Sequence, residues 1–227
     1  MKLTKSLLLF LTTSIALCEM AGAAALVTVA VSTDSRSLQN ASGVALSGGN
    51  PVIDGDGTAV QIGYYQGATA NTIFFGNGDE TTFVTLIGAG SVLGLNLTVG
   101  DSVVNAPANG EIFADINVIG SSAFYPAAGV PLVMRFFSST SVSGSPFFQV
   151  ISNLAWKWVA PVNLPSIARV DMNFDIPGMA SRNGAAISAD GTPIRAATAN
   201  PLFVPEPTSF LLLSSVGVIA FARRNRK

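Results

Sequence analysis

The chain has 227 residues, of which 49% are hydrophobic and 11% charged, and its formal net charge is −1. This composition excludes a disordered polar chain. The absence of histidine excludes Ser-His-Asp triads, Cys-His dyads and imidazole metal sites within the chain. The single cysteine, Cys18, lies in the N-terminal segment, so we expect neither disulfides nor thiol chemistry in the rest of the protein.

Residues 1–25 have the organisation of a secretory signal peptide. Two lysines precede an apolar run, and small residues close the segment, among them Ala21, Ala23 and Ala25. Signal peptidase requires small side chains before the bond it cuts, so the sequence predicts cleavage after Ala23 or after Ala25. An uncleaved anchor is less favoured, because the apolar run is shorter than the ~20 residues of a membrane span. A lipoprotein is also less favoured, because a leucine and not a small residue precedes Cys18.

Alternation of apolar and polar residues dominates residues 26–180 and predicts short β-strands. The predicted strands, in chain order, are 26–31, 60–64, 83–87, 111–118, 130–137, 147–151, 156–158 and 169–176. Those at 26–31, 83–87, 130–137 and 147–151 are more mixed apolar runs. Clusters of Gly, Asn, Asp and Pro separate them, and no segment of this body has a convincing helical period. We therefore predict an all-β domain, an antiparallel β-sandwich of the jelly-roll or immunoglobulin-like kind. A signal helix before it and a transmembrane helix after it complete the predicted architecture.

Alternation is lost in residues 181–203, where Gly, Ala, Asn and Pro become common. This composition is typical of a linker. A last strand near 192–196 is an alternative, so we interpret the segment as a linker or as a final strand plus a linker.

The last 24 residues, 204–227, consist of three unlike parts. Val204, Pro205, Glu206 and Pro207 come first, fifteen uncharged residues follow at 208–222, and the tail 223–227 carries Arg223, Arg224, Arg226 and Lys227. Fifteen helical residues span about 22 Å, and snorkelling basic side chains with local thinning can match them to the ~30 Å hydrocarbon core. The sequence thus predicts a transmembrane helix with a cytoplasmic C-terminus. A terminal core helix is the alternative, but it would show a polar face.

This C-terminal segment resembles the PEP-CTERM sorting signal of Gram-negative, exopolysaccharide-producing bacteria. The resemblance implies that an exosortase, an integral-membrane protease, recognises the region of Pro205, Glu206 and Pro207 and cuts near it. Two prolines resist helix formation and would hold this segment extended outside the bilayer. The chain would then be a substrate, anchored transiently in the inner membrane and delivered to the cell surface or the extracellular matrix of a biofilm.

The charge of the body differs from that of the whole chain. Residues 26–204 carry six cations against eleven acids, a net charge of −5, whereas both ends are basic. An acidic, sparsely charged body has no electrostatic footprint for nucleic acid, so we predict no DNA or RNA partner.

Trp156 and Trp158 are the candidate glycan contacts. They lie two residues apart in an alternating run, which places both indoles on one face of a strand. Two such rings could form a sugar-stacking platform, but such aromatic residues more often belong to the core of a sandwich.

Carboxylates are the acid/base groups that remain for hydrolysis. Asp171 and Asp175 lie four residues apart on one predicted strand, about 13 Å, which is too far for either glycosidase geometry. Residues 54–57 and 77–80 are similar to fragments of calcium loops, but neither has the full spacing, and turn formation is favoured. We predict no catalytic residue, no metal site and no cofactor.

The leading hypothesis is an exported, non-enzymatic protein with a structural or adhesive role, processed by signal peptidase and exosortase. A carbohydrate-binding module that contacts exopolysaccharide is the main alternative. A secreted hydrolase with an unrecognised carboxylate pair is less favoured.

Overall fold

A computed structural model describes residues 25–49, 57–71, 79–88, 97–98, 109–119, 125–163, 166–181, 187 and 192–203. In these ranges the chain forms β-strands and one 3₁₀ turn, Glu80–Thr82. The strands are β1 (Ala25–Ser32), β2 (Leu38–Asn40), β3 (Ala59–Tyr65), β4 (Phe83–Gly88), β5 (Leu97–Thr98), β6 (Phe113–Ile119), β7 (Pro131–Phe137), β8 (Phe147–Lys157), β9 (Val162–Asn163), β10 (Ala168–Asn173), β11 (Met179–Ser181), β12 (Ile194–Ala196) and β13 (Thr198–Ala199). The prediction of an all-β fold is confirmed.

The first sheet has four strands, with β1 between β10 and β6 and with β9 paired to the start of β1. Its alternation separates two faces. Val27, Val29 and Val31 of β1 lie in the main hydrophobic core, and Val170 and Met172 of β10 lie there beside them. The residues between them in sequence point to the opposite face.

The second sheet has seven strands in the order β11-β8-β7-β3-β4, with β13 paired to β8 and β5 paired to β3. Every residue of β7 is buried, because this strand lies inside the sheet and both of its faces are covered. The pairing of β3 with β4 shifts register between Ile62 and Gly63. A Cβ at Gly63 would lie 2.0 Å from the carbonyl oxygen of Val84, so the close approach of these strands requires glycine here.

The main core cluster takes buried residues from both sheets, among them Val29 of β1, Ile62 of β3, Met134 of β7 and Trp156 of β8. A second, smaller cluster lies on the other face of the seven-stranded sheet and includes Tyr65 and Phe137. The two sheets therefore share one core.

The prediction that the pairing is antiparallel throughout was wrong. β1 pairs with β10 in parallel, and β12 pairs with β2 in parallel in a small third sheet. Parallel neighbours need a long connection, and more than a hundred residues separate each of these pairs along the chain. Alternation has the same period in both arrangements, so it does not distinguish them.

Two predicted strand boundaries also differ from the structure. The run 147–151 and residues 156–157 of the run 156–158 belong to one long strand, β8, whose register against β7 shifts between Pro131 and Val133. β10 ends at Asn173, and the chain bends over 174–176. The predicted signal segment, 1–25, lies outside the described residues except for Ala25, and the predicted transmembrane helix, 208–222, lies wholly outside them.

Candidate functional site

The sorting motif, Val204 to Pro207, and the basic tail from Arg223 to Lys227 lie outside the described residues, but the segment that leads into them is described. Residues 192–203, which the sequence assigned to a linker or to a final strand plus a linker, carry β12 and β13. β12 pairs with β2, and β13 pairs with the start of β8. This part of the chain is therefore joined to both the third sheet and the seven-stranded sheet.

At the other end of the body, Ala21 and Ala23 lie outside the described residues, and Ala25 is the first residue of β1. Ala25 pairs with Asn163, and Leu26 pairs with Val162 of the same strand, β9. The sheet thus begins at the second of the two cleavage sites that the sequence allowed.

We expect signal peptidase to cut after Ala23, because cutting after Ala25 would remove the first residue of the central strand of the sheet. The measurement is the intact mass of the exported protein. A chain that begins at Ala24 agrees with this expectation, and one that begins at Leu26 contradicts it. Replacing Ala23 with leucine should block cleavage, whereas the same change at Ala25 should leave it intact.

Both candidate glycan residues are core residues. Trp156 is 0% exposed and Trp158 is 1% exposed. The indole of Trp156 stacks on Phe174 with centroids 5.3 Å apart, and its N–H donates to the carbonyl of Asn173 at 3.2 Å. Trp158 packs against Tyr125, with centroids 5.0 Å apart. The prediction of a sugar platform at these rings was wrong, because neither ring has a face that a ligand can reach.

The outer face of the four-stranded sheet carries exposed polar groups on β10 and β6, with the more buried residues of β1 between them. Three strands present three side chains each, in register across the sheet: Arg169, Asp171 and Asn173 from β10, Thr28, Ala30 and Ser32 from β1, and Phe113, Asp115 and Asn117 from β6. We call these nine residues the polar face. The Thr28 hydroxyl donates to the amide oxygen of Asn117 at 2.8 Å, so part of the face is already internally bonded.

A shallow groove of about 250 Å³ crosses the polar face over Ala30. Ala30 pairs in register with Asp171 on one side and with Asp115 on the other. Its small side chain leaves space between the two carboxylates. The ring of Phe113, which is 54% exposed, also lines the groove.

Arg169 binds both carboxylates of the groove. Its Nε lies 2.6 Å from Asp171 Oδ1, and its Nη2 lies 3.3 Å from Asp115 Oδ1. These hydrogen bonds, the one to Asp171 first, raise the pKa of Arg169. With Asp34 at the rim, the groove holds three carboxylates against one guanidinium, so its net charge is negative.

The acidic turns considered for calcium have other roles where the structure describes them. Asp79 accepts hydrogen bonds from the hydroxyl and the backbone N–H of Thr81, at 2.7 and 3.0 Å, and these bonds lower its pKa. Glu80 is buried and pairs with Arg135 at 3.2 Å, and it accepts a hydrogen bond from the Tyr65 hydroxyl. Residues 54–56 and 77–78 lie outside the described residues.

Comparison with known proteins adds one finding. The family model of the PEP-CTERM protein-sorting motif matches residues 203–227. The chain carries a PEP-CTERM sorting domain. This domain marks the protein as a secreted, surface-directed substrate of the exosortase system. No curated protein and no solved structure matches the chain.

The PEP-CTERM match begins at Phe203, the last described residue of the body. Within the described ranges, no helix is long and apolar enough to cross a membrane. The same ranges contain no group of three acidic, histidine or cysteine side chains placed to hold a metal ion.

The polar face of this PEP-CTERM protein was missed at the sequence level. Its residues come from three strands that are far apart in sequence, and one of the two pairings is parallel. A signal did exist, since Arg169, Asp171 and Asp115 occupy the polar positions of the two most regular alternating runs in the chain. Alternation placed them on exposed faces, but it did not show that these faces are the same one.

Proposed function

We propose that this protein is an exported, non-enzymatic structural or adhesive component of the cell surface or extracellular matrix, with a β-sandwich body. The observation that carries the proposal is the sorting domain at 203–227, directly after a β-rich body with one shared core. In this proposal signal peptidase removes the N-terminal segment. Residues 208–222 hold the precursor in the inner membrane with its C-terminus in the cytoplasm, until exosortase cuts near Pro205.

The environment of the exposed carboxylates supports a non-enzymatic role over a secreted hydrolase. Asp115 and Asp171 face each other across Ala30 and are the pair that a glycosidase would need. Glycosidases rely on two different environments, one for the acid and one for the base or nucleophile. Here the two carboxylates are 56% and 65% exposed and bind the same guanidinium, so their environments are alike.

Replacing Pro205, Glu206 and Pro207 together with alanine should stop processing, because the extended segment that the protease recognises is lost. The measurement is the intact mass of the membrane and exported fractions from an exosortase-bearing host, with protease shaving to report surface display. We expect the variant to keep Arg223 to Lys227 and to remain in the inner membrane.

The matched control is Pro193→Ala, which removes an exposed proline upstream of the motif and should be processed normally. Normal removal of the tail from the triple variant, or retention of the tail by the unaltered chain, would contradict the proposal.

A second candidate function is contact with a polysaccharide through the polar face. Amide, hydroxyl and carboxylate groups fixed in register, with one exposed aromatic ring, are the groups that bind sugar hydroxyls and sugar ring faces. The negative charge of the groove disfavours uronate or sulfated polymers. We therefore propose a neutral polysaccharide as the ligand of this face.

Replacing Phe113 with alanine should weaken binding of a soluble neutral glucan by about tenfold, the effect of losing about 1.4 kcal/mol of ring contact. Affinity electrophoresis or calorimetry with the exported protein measures the change. The control is Phe147→Ala, since Phe147 is also an exposed aromatic residue (40%) but lies on the seven-stranded sheet. Equal losses in both variants, or no saturable binding by the unaltered protein, would rule out this candidate.

A further inference from the structure

Residues 198–200, at the C-terminal end of the body, are hydrogen-bonded to the seven-stranded sheet and to the loop before β8. Thr198 and Ala199 of β13 pair with Phe148 and Phe147 of β8. The next residue, Asn200, is buried, and its backbone N–H donates to the carbonyl of Pro146 at 3.0 Å. The chain is thus held to β8, and to the loop before it, up to Asn200.

The side chain of Asn200 binds that same loop. Its amide nitrogen donates to the carbonyls of Val142 and Ser145, both at 2.8 Å, and its amide oxygen accepts from the N–H of Leu202 at 3.0 Å. The carbonyl of Asn200 accepts from the N–H of Phe203 at 3.1 Å. We call this set of bonds the Asn200 clamp. It keeps the chain ordered through Phe203, where the sorting domain begins.

Only residues 204–207 lie between the clamp and the predicted transmembrane helix at 208–222. Four fully extended residues reach about 14 Å at most. A protease that works in or at the membrane needs an extended substrate strand, and the clamped residues cannot supply one while their hydrogen bonds are intact.

The surface around Phe203, where the chain leaves the body, is compatible with a position close to the membrane. The loop that Asn200 binds lies within residues 138–147, which contain no charged side chain, although the body as a whole is acidic. Phe147 and Phe203 are both exposed at this end. An uncharged surface can approach an anionic bilayer without the repulsion that the acidic body would meet.

We infer that the Asn200 clamp determines where and how fast exosortase acts: the cut falls C-terminal to Phe203, and opening of the clamp limits the rate. This inference rests on the proposed exosortase processing near Pro205, and it adds an upstream limit for the cut and the residue that controls access. The mature protein then keeps β13 and Asn200, so its body stays closed after release.

The test is a pulse-chase experiment on the full chain in an exosortase-bearing host, with the intact mass of the product. One variant inserts ten Gly and Ser residues between Phe203 and Val204, which leaves the clamp intact and lengthens the accessible strand. A second variant, Asn200→Ala, removes the side-chain bonds. Both should be cut at least about threefold faster than the unaltered chain, because local opening is no longer required or is less costly.

Asn153→Ala is the matched control. Asn153, in β8, is also a buried asparagine. Its side chain makes two hydrogen bonds to the backbone, one with Pro177 at 2.9 Å and one with Ala155 at 2.8 Å. The Asn153→Ala variant should be less stable, but its rate of cutting should stay within about twofold of the unaltered chain, because the Asn153 bonds do not hold residues 200–203.

The outcomes separate the inference from the proposed function. A product that ends before Phe203, or an inserted linker that leaves the rate unchanged, overturns the inference while exosortase processing stands. Faster cutting of the linker variant supports the clamp even if Asn200→Ala fails to fold. If neither the unaltered chain nor the linker variant is cut in cells that process another PEP-CTERM protein, the proposed function fails and the inference fails with it.

Discussion

Replacing Glu80 with glutamine should lower the free energy of unfolding by about 3–5 kcal/mol, because it removes the carboxylate that pairs with the buried guanidinium of Arg135. Both side chains are almost fully buried, and the pair lies 3.2 Å apart. The Tyr65 hydroxyl donates to the same carboxylate, and the Arg135 guanidinium lies 4.2 Å above the ring of Phe83. Glutamine keeps the shape of glutamate, so the change isolates the charge. Urea unfolding of the exported protein measures the loss.

Asp171→Asn is the matched control, since it removes one partner of an ion pair whose side chains are both well exposed. Exposed pairs contribute about 1 kcal/mol or less, so this variant should stay close to the unaltered protein. A double variant, Glu80→Gln with Arg135→Met, should recover part of the loss, because it removes the buried guanidinium together with the carboxylate that pairs with it. Equal effects of the two single changes would show that burial does not govern the strength of these pairs.

The Glu80–Arg135 pair shows what the sequence could not predict. Glu80 follows a Gly- and Asn-rich stretch, so local chemistry indicated a turn, and the structure does place a 3₁₀ turn there. Its partner lies 55 residues further along the chain, on β7. One signal was present, because a single arginine inside the otherwise apolar run of β7 has to be buried with a partner of opposite charge. No local sequence pattern identified Glu80 as that partner.

Strands were predictable because their determinants are local. Alternation in β6 and β10 reflects one face in the core and one more exposed face, and the structure separates these faces as the pattern requires. The order and direction of the strands are not local, which is why the parallel pairing of β1 with β10 was missed. The polar face depends on that pairing, since it brings Asp171 beside Ala30 and opposite Asp115.

The sorting domain was predictable for the opposite reason. Its signal is a linear order of residue types, and no tertiary contact is needed to recognise it. The family match at 203–227 confirms this part of the sequence analysis. The structure of the segment just before it was harder to predict. A two-residue strand such as β13 shows no clear alternation, and asparagine, as at Asn200, is common in linkers.

Trp156→Ala should lower the free energy of unfolding by about 3–5 kcal/mol, the usual range for truncating a buried tryptophan. Trp156 belongs to β8 of the seven-stranded sheet. Its N–H donates to the carbonyl of Asn173, the last residue of β10 in the four-stranded sheet, and its ring stacks on the next residue, Phe174. The change therefore removes a contact that joins the two sheets as well as core volume.

Two further variants separate these contributions. Trp156→Phe keeps an aromatic ring beside Phe174 and should cost less than alanine, with the lost hydrogen bond to Asn173 worth about 1 kcal/mol. Phe113→Ala removes an exposed ring from the first sheet and should change stability by about 0.5 kcal/mol or less, since exposed positions rarely contribute more. Urea unfolding followed by the fluorescence of the remaining tryptophan measures the Trp156→Ala loss. If Trp156→Ala is no more damaging than Phe113→Ala, the indole does not join the sheets, and its place in the core has to be reconsidered.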